Sequence, residues 1–382
     1  VPGRTLRLGV VGTGFIATGL LALCGARTDV RVTAQLTRRP LSQVRCSRPE
    51  LLTQSLDEVL SVSDVVVECS GSVGHAAEVV AGAMAAGKPV VTMNSEFHVT
   101  VGSHFVGSGL LTEAEGDQSG SLAALAEEAR EMGFEPRLYG NTKGFLNLDP
   151  TPEDMAYWAA KQGISVDQVT AFTDGTKVQI EQALVANGLG GTIVRRGLLG
   201  PRVETVAEGV ERLWSEAEAV GRPCADFVVT PQWPGSIFIS ATHPSADAAT
   251  LRYFKLGEGP LHTLVRPYHL CFLEIGKTLA RLREGRGVLL DNSASPRVSV
   301  AAVAKRDLAS GTAIPRGIGS FLVRGESVLL ADEPDHVPIG LLEGAVVKSS
   351  VQAGQTLTWN EVEVPDSLAL TAWRGIVGRC RV

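Results

Sequence analysis

The chain has 382 residues, enough for two or three domains at roughly 100–200 residues each. Hydrophobic residues make up 44% and charged residues 20%, the balance of a globular protein with a sizeable core. The net charge is −6 and no basic, aromatic-studded stripe is present, which argues against nucleic acid as a partner. Apolar runs are short and broken by Gly or charge, so no membrane span is expected. The opening "VPGRTLRLGVVG" enters a strand at once, without a signal peptide, so a cytoplasmic location is expected. The six cysteines (Cys24, Cys46, Cys69, Cys224, Cys271, Cys380) form no CxxC pair, which fits free thiols in a reducing compartment.

"LRLGVVGTGFIATGLLALC" reads strand, tight turn, helix, with the strand at 6–11. The turn carries Gly12, Gly14 and Ala17, a G-x-G-x-x-A spacing. The first Gly permits the turn, the second lets backbone approach a pyrophosphate, and the small third residue lets helix and strand pack closely. The helix start then offers its amides and positive dipole end to phosphate. Gly12, Thr13, Gly14, Phe15 and Ile16 are therefore candidate dinucleotide contacts.

A second strand, "VRVTAQLTRRP", ends in Thr37, Arg38 and Arg39, where an NAD enzyme usually has an acid for the ribose 2′-hydroxyl. Two guanidiniums suit a 2′-phosphate, so NADP(H) is the expected cofactor. The alternative is a solvated basic loop. "SDVVVECSGSVGHAAEVVAGAMAAGKPVVTMN" continues strand, helix, strand. Ser70, Gly71 and Asn94 end strands at the carboxyl edge of a parallel sheet, where ligands bind. They are candidates near the nicotinamide ribose, or simple strand-end caps.

"GDQSG" is a polar turn before a helix; Asp117 and Gln118 are site candidates or helix caps. "GNTKG" places Asn141 and Lys143 on a loop between glycines. Thr151-Pro-Glu-Asp reads as a capped helix start. "VTAFTDGTKVQIEQALVANGLG" then predicts a largely buried helix with Asp174, Lys177 and Glu181 at its head. Lys177 and Glu181 share a face, but in the less favourable order, and a lysine in the first turn faces the positive end of the dipole. A cost with no local benefit points to an outside partner such as an anionic substrate or a developing oxyanion. Asp174 is alternatively the N-cap.

These segments carry a resemblance. Residues 1 to about 290 resemble the homoserine dehydrogenase-type oxidoreductases, which have a Rossmann domain with an inserted α/β substrate domain. "VVTMN" stands where that family has V-V-T-A-N-K, and the lysine position is Ser95 here. "GDQSG", "GNTKG", "FTDGTKVQIEQALVANG" and "RPYHL" more closely resemble a branch typified by the 1-deoxy-D-xylulose 5-phosphate reductoisomerase-like proteins. After a boundary at "DNSASP", short strands alternate with turns. "KRDLASGTAI" and "KSSVQAGQTLTWNEV" form a near repeat, and this tail, with "LLEGAVVK", resembles a SAF (β-clip) module. His336, in "PDHVPIG", is expected on a surface loop.

The expected fold class is thus α/β: a Rossmann-type doubly wound parallel sheet, an inserted α/β substrate domain and a small C-terminal all-β module. The expected boundaries are 1–140, 141–291 and 297–382. The expected function is NADP-dependent hydride transfer to or from a small polar carbonyl or hydroxyl compound, phosphorylated ones included, with reductoisomerase-like chemistry within its scope. Of Lys177 and Lys143, one would stabilise the oxyanion or shuttle its proton, and the other would hold a carboxylate or phosphate. Asp174 and Glu181 would orient the lysines; Asp117, Gln118, Asn141, Arg266 and His269 would contact substrate. A skeletal rearrangement would call for an oxygen-rich Mg²⁺ or Mn²⁺ site, which no carboxylate trio announces. The alternatives are semialdehyde reduction of the homoserine dehydrogenase type, a lyase, isomerase or epimerase with tightly bound NAD(P), and a non-catalytic NADP sensor. A small-molecule substrate and a homo-oligomer are the expected partners.

Overall fold

A computed structural model describes residues 5–380. The first stretch runs β1 (Leu6–Val11), α1 (Phe15–Gly25), β2 (Val30–Leu36), β3 (Leu52–Thr53), α2 (Leu56–Val62), β4 (Val65–Glu68), α3 (Val73–Ala85), β5 (Val90–Thr92), α4 (Ser95–Val101) and β6 (Leu111–Glu113). Next come α5 (Gln118–Glu131), β7 (Glu135–Lys143), α6 (Pro152–Gln162), α7 (Val166–Thr173), α8 (Thr176–Gly188) and α9 (Val206–Ala217). They lead to β8 (Cys224–Val229), β9 (Ile237–Thr242), α10 (Ala248–Tyr253), β10 (His262–Arg266) and α11 (Ile275–Arg283). The tail holds β11 (Val298–Ala304), β12 (Ala313–Ile314), β13 (Val323–Leu329), β14 (Ala345–Val347), β15 (Val362–Glu363) and α12 (Leu368–Cys380).

Contacts divide the chain into two units: 1–120 with 270–294 and 367–382, and 121–269 with 295–366. β7 spans residues on both sides of position 140 and lies wholly in the second unit; the tail strands fall in the second unit and α12 in the first.

In the first unit, six parallel strands take the order β3-β2-β1-β4-β5-β6. This is the doubly wound Rossmann order, with its reversal between β1 and β4. The strands read as nearly continuous Val and Leu because helices cover both faces; Leu8, Val10, Val66 and Val67 are fully buried. α12 packs on α3 and α4, where Arg379 donates to the Ser103 carbonyl at 3.2 Å.

The second unit has a mixed sheet, β10-β9-β7-β8, in which only β7 and β8 are parallel. "GNTKG" lies in β7 rather than in the expected loop. The glycine signal misled because Gly140 is a packing glycine: a Cβ there would lie 2.1 Å from the Phe238 ring. Thr151 caps α6 as expected, accepting the Asp154 amide at 3.2 Å.

The tail contributes small antiparallel sheets, β11-β13 and β12-β14-β15. They share a core with α8, whose residues 176 to 187 are all buried. At about 100° per residue, Thr176, Gln179, Ala183 and Asn187 fall on one side of this helix. The Thr176 hydroxyl accepts the Gly325 amide at 2.9 Å, the Gln179 side chain accepts the Ser327 amide at 2.7 Å, and the Asn187 side chain donates to the Val298 carbonyl at 2.8 Å. Polar side chains thus stitch α8 to β11 and β13 in a place where unpaired groups would be costly. His336 corrects the expectation of a surface loop. It is 2% exposed, with Nε2 2.8 Å from the Ser299 hydroxyl, because its segment packs onto β11.

One ion pair joins the same elements: Lys305, just after β11, contacts Asp174 at 2.8 Å with both side chains fully buried. Burial pushes the Asp174 carboxyl pKa up, and the Lys305 ammonium pulls it back. Lys305→Met leaves that carboxylate without its cation, so urea unfolding should show a loss of about 3–5 kcal/mol. The Asp174→Asn/Lys305→Met pair should recover part of it. A single-variant loss below about 1 kcal/mol would mean that the pair is not a closed, dry contact.

Candidate active site

The first unit builds a nucleotide cradle from the end of β1. Gly12 has φ of 105° and a Cβ there would lie 2.9 Å from the Cys69 carbonyl oxygen, so the turn runs tight against the end of β4. At Gly14 a Cβ would meet nothing within 4 Å, which leaves open space beside the start of α1. Gly14 is also the N-cap and brings no side chain to the first helical amides. A diphosphate fits that combination of free amides and open approach. Ala17 is fully buried, Ile16 packs into the core and Phe15 is half exposed.

Of the two arginines beyond β2, Arg39 lies against this turn. Arg39 donates to the Thr13 hydroxyl and, at 3.4 Å, to its carbonyl. Arg38 lines a cavity of about 350 Å³ with Thr37, Gln54, His75 and one acid, Glu78. Across the switch point, the Ser70 amide donates to Glu68 at 2.8 Å and Gly71 takes φ of 68°. Asn94 is fully buried and spends its side-chain oxygen on the Phe97 amide at 3.0 Å, so it caps α4. Asp117 and Gln118 are buried at the start of α5.

A buried polar cluster that the sequence does not announce by any motif lies at this sheet edge. Glu68 ends β4, its carboxyl pKa raised by burial. His98 of α4 lies 2.7 Å from Glu113 at the end of β6, both fully buried. Burial drives the His98 pKa down to about 3, so the ring is neutral at pH 7 and Nδ1–H can donate to the carboxylate. The available signal was positional: an acid closing a β-strand at the carboxyl edge, as in "VVVE".

The second unit gathers the lysines. β7 carries Asn141 and Lys143 under α8, and Glu181 receives both: Lys143 Nζ is 3.2 Å from Oε2 and Asn141 Nδ2 is 3.4 Å from the same atom. Glu181 is thus the partner of Lys143 across elements, not merely the helical neighbour of Lys177. The Glu181 side chain is 5% exposed and that of Lys143 21%, so the pair is largely removed from water yet open at the lysine end. Lys177 stands one turn before Glu181 on the same helix face and is 8% exposed. Its burial excludes the plain surface-pair reading. The α8 N-cap is Gly175; Asp174 instead closes α7 and accepts the Thr176 amide at 2.8 Å. With its other oxygen on Lys305, Asp174 is tied to the tail and not to the lysines it was expected to orient.

The remaining candidates sit elsewhere on this unit. Arg266 contacts Glu128 at 3.0 Å, and His269 Nδ1 lies 2.8 Å from the Gly235 carbonyl. Among the described residues, no three His, Cys, Asp or Glu side chains form a metal-binding group. No described helix is long and apolar enough to cross a membrane.

Comparison with known proteins finds three segments. Residues 9–101 match the family described as homoserine dehydrogenase, NAD binding domain. Residues 116–275 match oxidoreductase DRL, catalytic domain, and residues 299–363 match the SAF domain. No curated protein sequence matches the chain. Among solved structures, a homoserine dehydrogenase from Thiobacillus denitrificans is 13% identical, with a TM-score of 0.47 over 92% of this chain and 98% of its own. A UDP-N-acetylglucosamine 3-dehydrogenase from Acidithiobacillus ferrooxidans is 16% identical, with a TM-score of 0.44 over 76% of this chain and 92% of its own. In this order the chain carries a homoserine dehydrogenase-type NAD-binding domain, an oxidoreductase DRL catalytic domain and a SAF domain, which makes it an NAD(P)-dependent oxidoreductase.

Proposed function

We propose that the protein is an NADP-dependent reductase or dehydrogenase of a small polar carbonyl or hydroxyl compound, with Lys177 and Lys143 as its working cations. The observation that carries this reading is the convergence of Asn141, Lys143 and Glu181, with Lys177 on the same helix face, inside the matched catalytic segment. When bound, the nicotinamide supplies or accepts the hydride.

The protein's part is electrostatic and positional. Lys177 projects from a buried helix where little water competes, so its ammonium would stabilise an oxygen that gains negative charge. Glu181 fixes Lys143 and Asn141 on one oxygen, which orients the lysine for donation to the reacting oxygen or for holding a substrate anion. A phosphorylated substrate suits a site that offers lysine side chains. Reductoisomerase-like rearrangement belongs to this proposal as its more specific form.

The choice of NADP rests on Arg39 against the glycine turn and Arg38 next to it in sequence, with no acid at the end of β2; Glu78 of α3 shares the cavity that Arg38 lines. NADPH should bind more tightly than NADH in a fluorescence titration. Arg38→Ala should lose about 1.5–3 kcal/mol of NADPH affinity while NADH binding stays unchanged. Equal affinity for the two cofactors in the parent protein would refute the NADP assignment.

Turnover tests the lysines. NADPH oxidation should be screened against short ketones, aldehydes and phosphorylated ketoses. On the best substrate, Lys177→Met should lower kcat by roughly a hundredfold with cofactor affinity intact, if Lys177 faces the developing oxyanion. A rise in KM with kcat preserved would make it a substrate-anion clamp instead. With both parameters intact, the catalytic role passes to Lys143.

A further inference from the structure

The second unit contains a cavity of about 220 Å³ beside the start of α8 that none of the reaction chemistry above uses. Its polar wall includes Arg202 and, from tail strand β13, Arg324 and Glu326. Leu146, Phe227 and Val229 give an apolar wall, and Leu148 stands half exposed beside them. Gly175, Gly197 and Gly200 also line it, with φ of 83°, 72° and 50°, so backbone rather than side chain forms that part of the surface. On α8 the lining residue Gln179 points about 160° away from Glu181, towards the tail and not towards Lys143.

The charges decide what could enter. Glu326 is already held by two cations, Arg324 at 2.6 Å and Arg196 at 2.8 Å, which keep its carboxyl pKa below the usual value although burial acts the other way. Asp174 also lines the cavity, but its fully buried carboxylate is paired with Lys305. Arg202 differs. Its guanidinium donates to the Leu146 carbonyl at 3.0 Å, and among the described residues no carboxylate lies within ion-pair distance of it. Arg202 also borders a groove of about 390 Å³, but that groove brings Glu204, which has no cation within ion-pair distance among the described residues and would repel an anion, beside Glu208, which Arg212 holds at 2.6 Å. The cavity beside α8 is therefore the side on which Arg202 can meet a negative charge.

We infer that this cavity binds a small anion with a short apolar tail, its carboxylate or phosphate head on Arg202 and Arg324 and its tail against Leu146, Phe227 and Val229. The volume holds on the order of seven heavy atoms, taking about 30 Å³ for each water-sized atom. A ligand seated there would touch both the catalytic segment and the SAF strand β13.

Pentanoate, inorganic phosphate and uncharged pentan-1-ol are the probes, titrated calorimetrically into the full chain at low salt and without cofactor, so the outcome is independent of the redox reading. Pentanoate or phosphate should saturate at one equivalent, and pentan-1-ol should bind at least tenfold more weakly. Tighter pentanoate identifies a carboxylate ligand, and tighter phosphate a phosphate ligand. Arg202→Gln should weaken the preferred anion at least tenfold. Leu148→Glu, at an exposed position that puts no load on folding, should weaken it similarly by placing a like charge beside the cavity. Lys161→Gln, a cation elsewhere on this unit, should change affinity less than twofold. The inference is overturned if neither anion saturates, if Arg202→Gln and Leu148→Glu leave affinity unchanged, or if Lys177→Met weakens binding more than Arg202→Gln does.

Discussion

Helix α8 is buried along its whole length, and the second unit is organised by how its polar side chains are satisfied. A helix covered on every side is normally apolar all round. This one carries Thr176, Lys177, Gln179, Glu181, Gln182 and Asn187. Each buried polar group carries a desolvation cost unless it is bonded. The helix meets that cost in two directions, Gln182 excepted, whose buried side chain has no hydrogen-bond partner among the described residues. Thr176, Gln179 and Asn187 bond to tail strands, while Glu181 bonds to β7. The tail sheets and the lysine cluster are therefore two faces of one element.

Charge is handled locally in the same unit. Lys143 answers Glu181 and Lys305 answers Asp174, so neither carboxylate is left alone in a poorly solvated place. The two pairs differ in access. Lys305 and Asp174 are fully shielded, whereas Lys143 keeps part of its surface open. That difference separates a sealed pair from one whose lysine stays open to water, although both are lysine–carboxylate pairs at similar distances.

Much of the first unit was legible because its signals are local. The strand at 6–11, the glycine turn and the helix after it follow from neighbouring residues, and the arginines beyond β2 lie at a fixed offset from them. In the second unit the signals are long-range. Lys177 and Glu181 could be placed on one buried face from helical spacing, but nothing in the sequence pairs Glu181 with a lysine 38 residues away. Asp174 looked like a cap because Gly175 follows it; its partner, Lys305, lies beyond the supposed domain boundary. His336 looked exposed because Pro and Asp flank it, yet β11 covers it. Gly140 looked like a turn because sequence does not show the Phe238 ring that needs its missing side chain.

The path of the backbone has a consequence for how the protein is made. The nucleotide-binding unit takes residues from 1–120, then 270–294, and finally 367–382, so the chain leaves it and returns twice. Helix α12 completes the packing over α3 and α4, nearly 300 residues after α3 was synthesised. A growing chain on the ribosome can form β1 to β6 early but cannot cover that flank until α12 emerges. At roughly 5–20 residues per second, the apolar surface of α3 waits tens of seconds for its cover. Contacts this distant in sequence also slow refolding, because long loops must close before they are rewarded. Newly made chains should therefore depend on chaperones most strongly in the interval before the final helix leaves the exit tunnel.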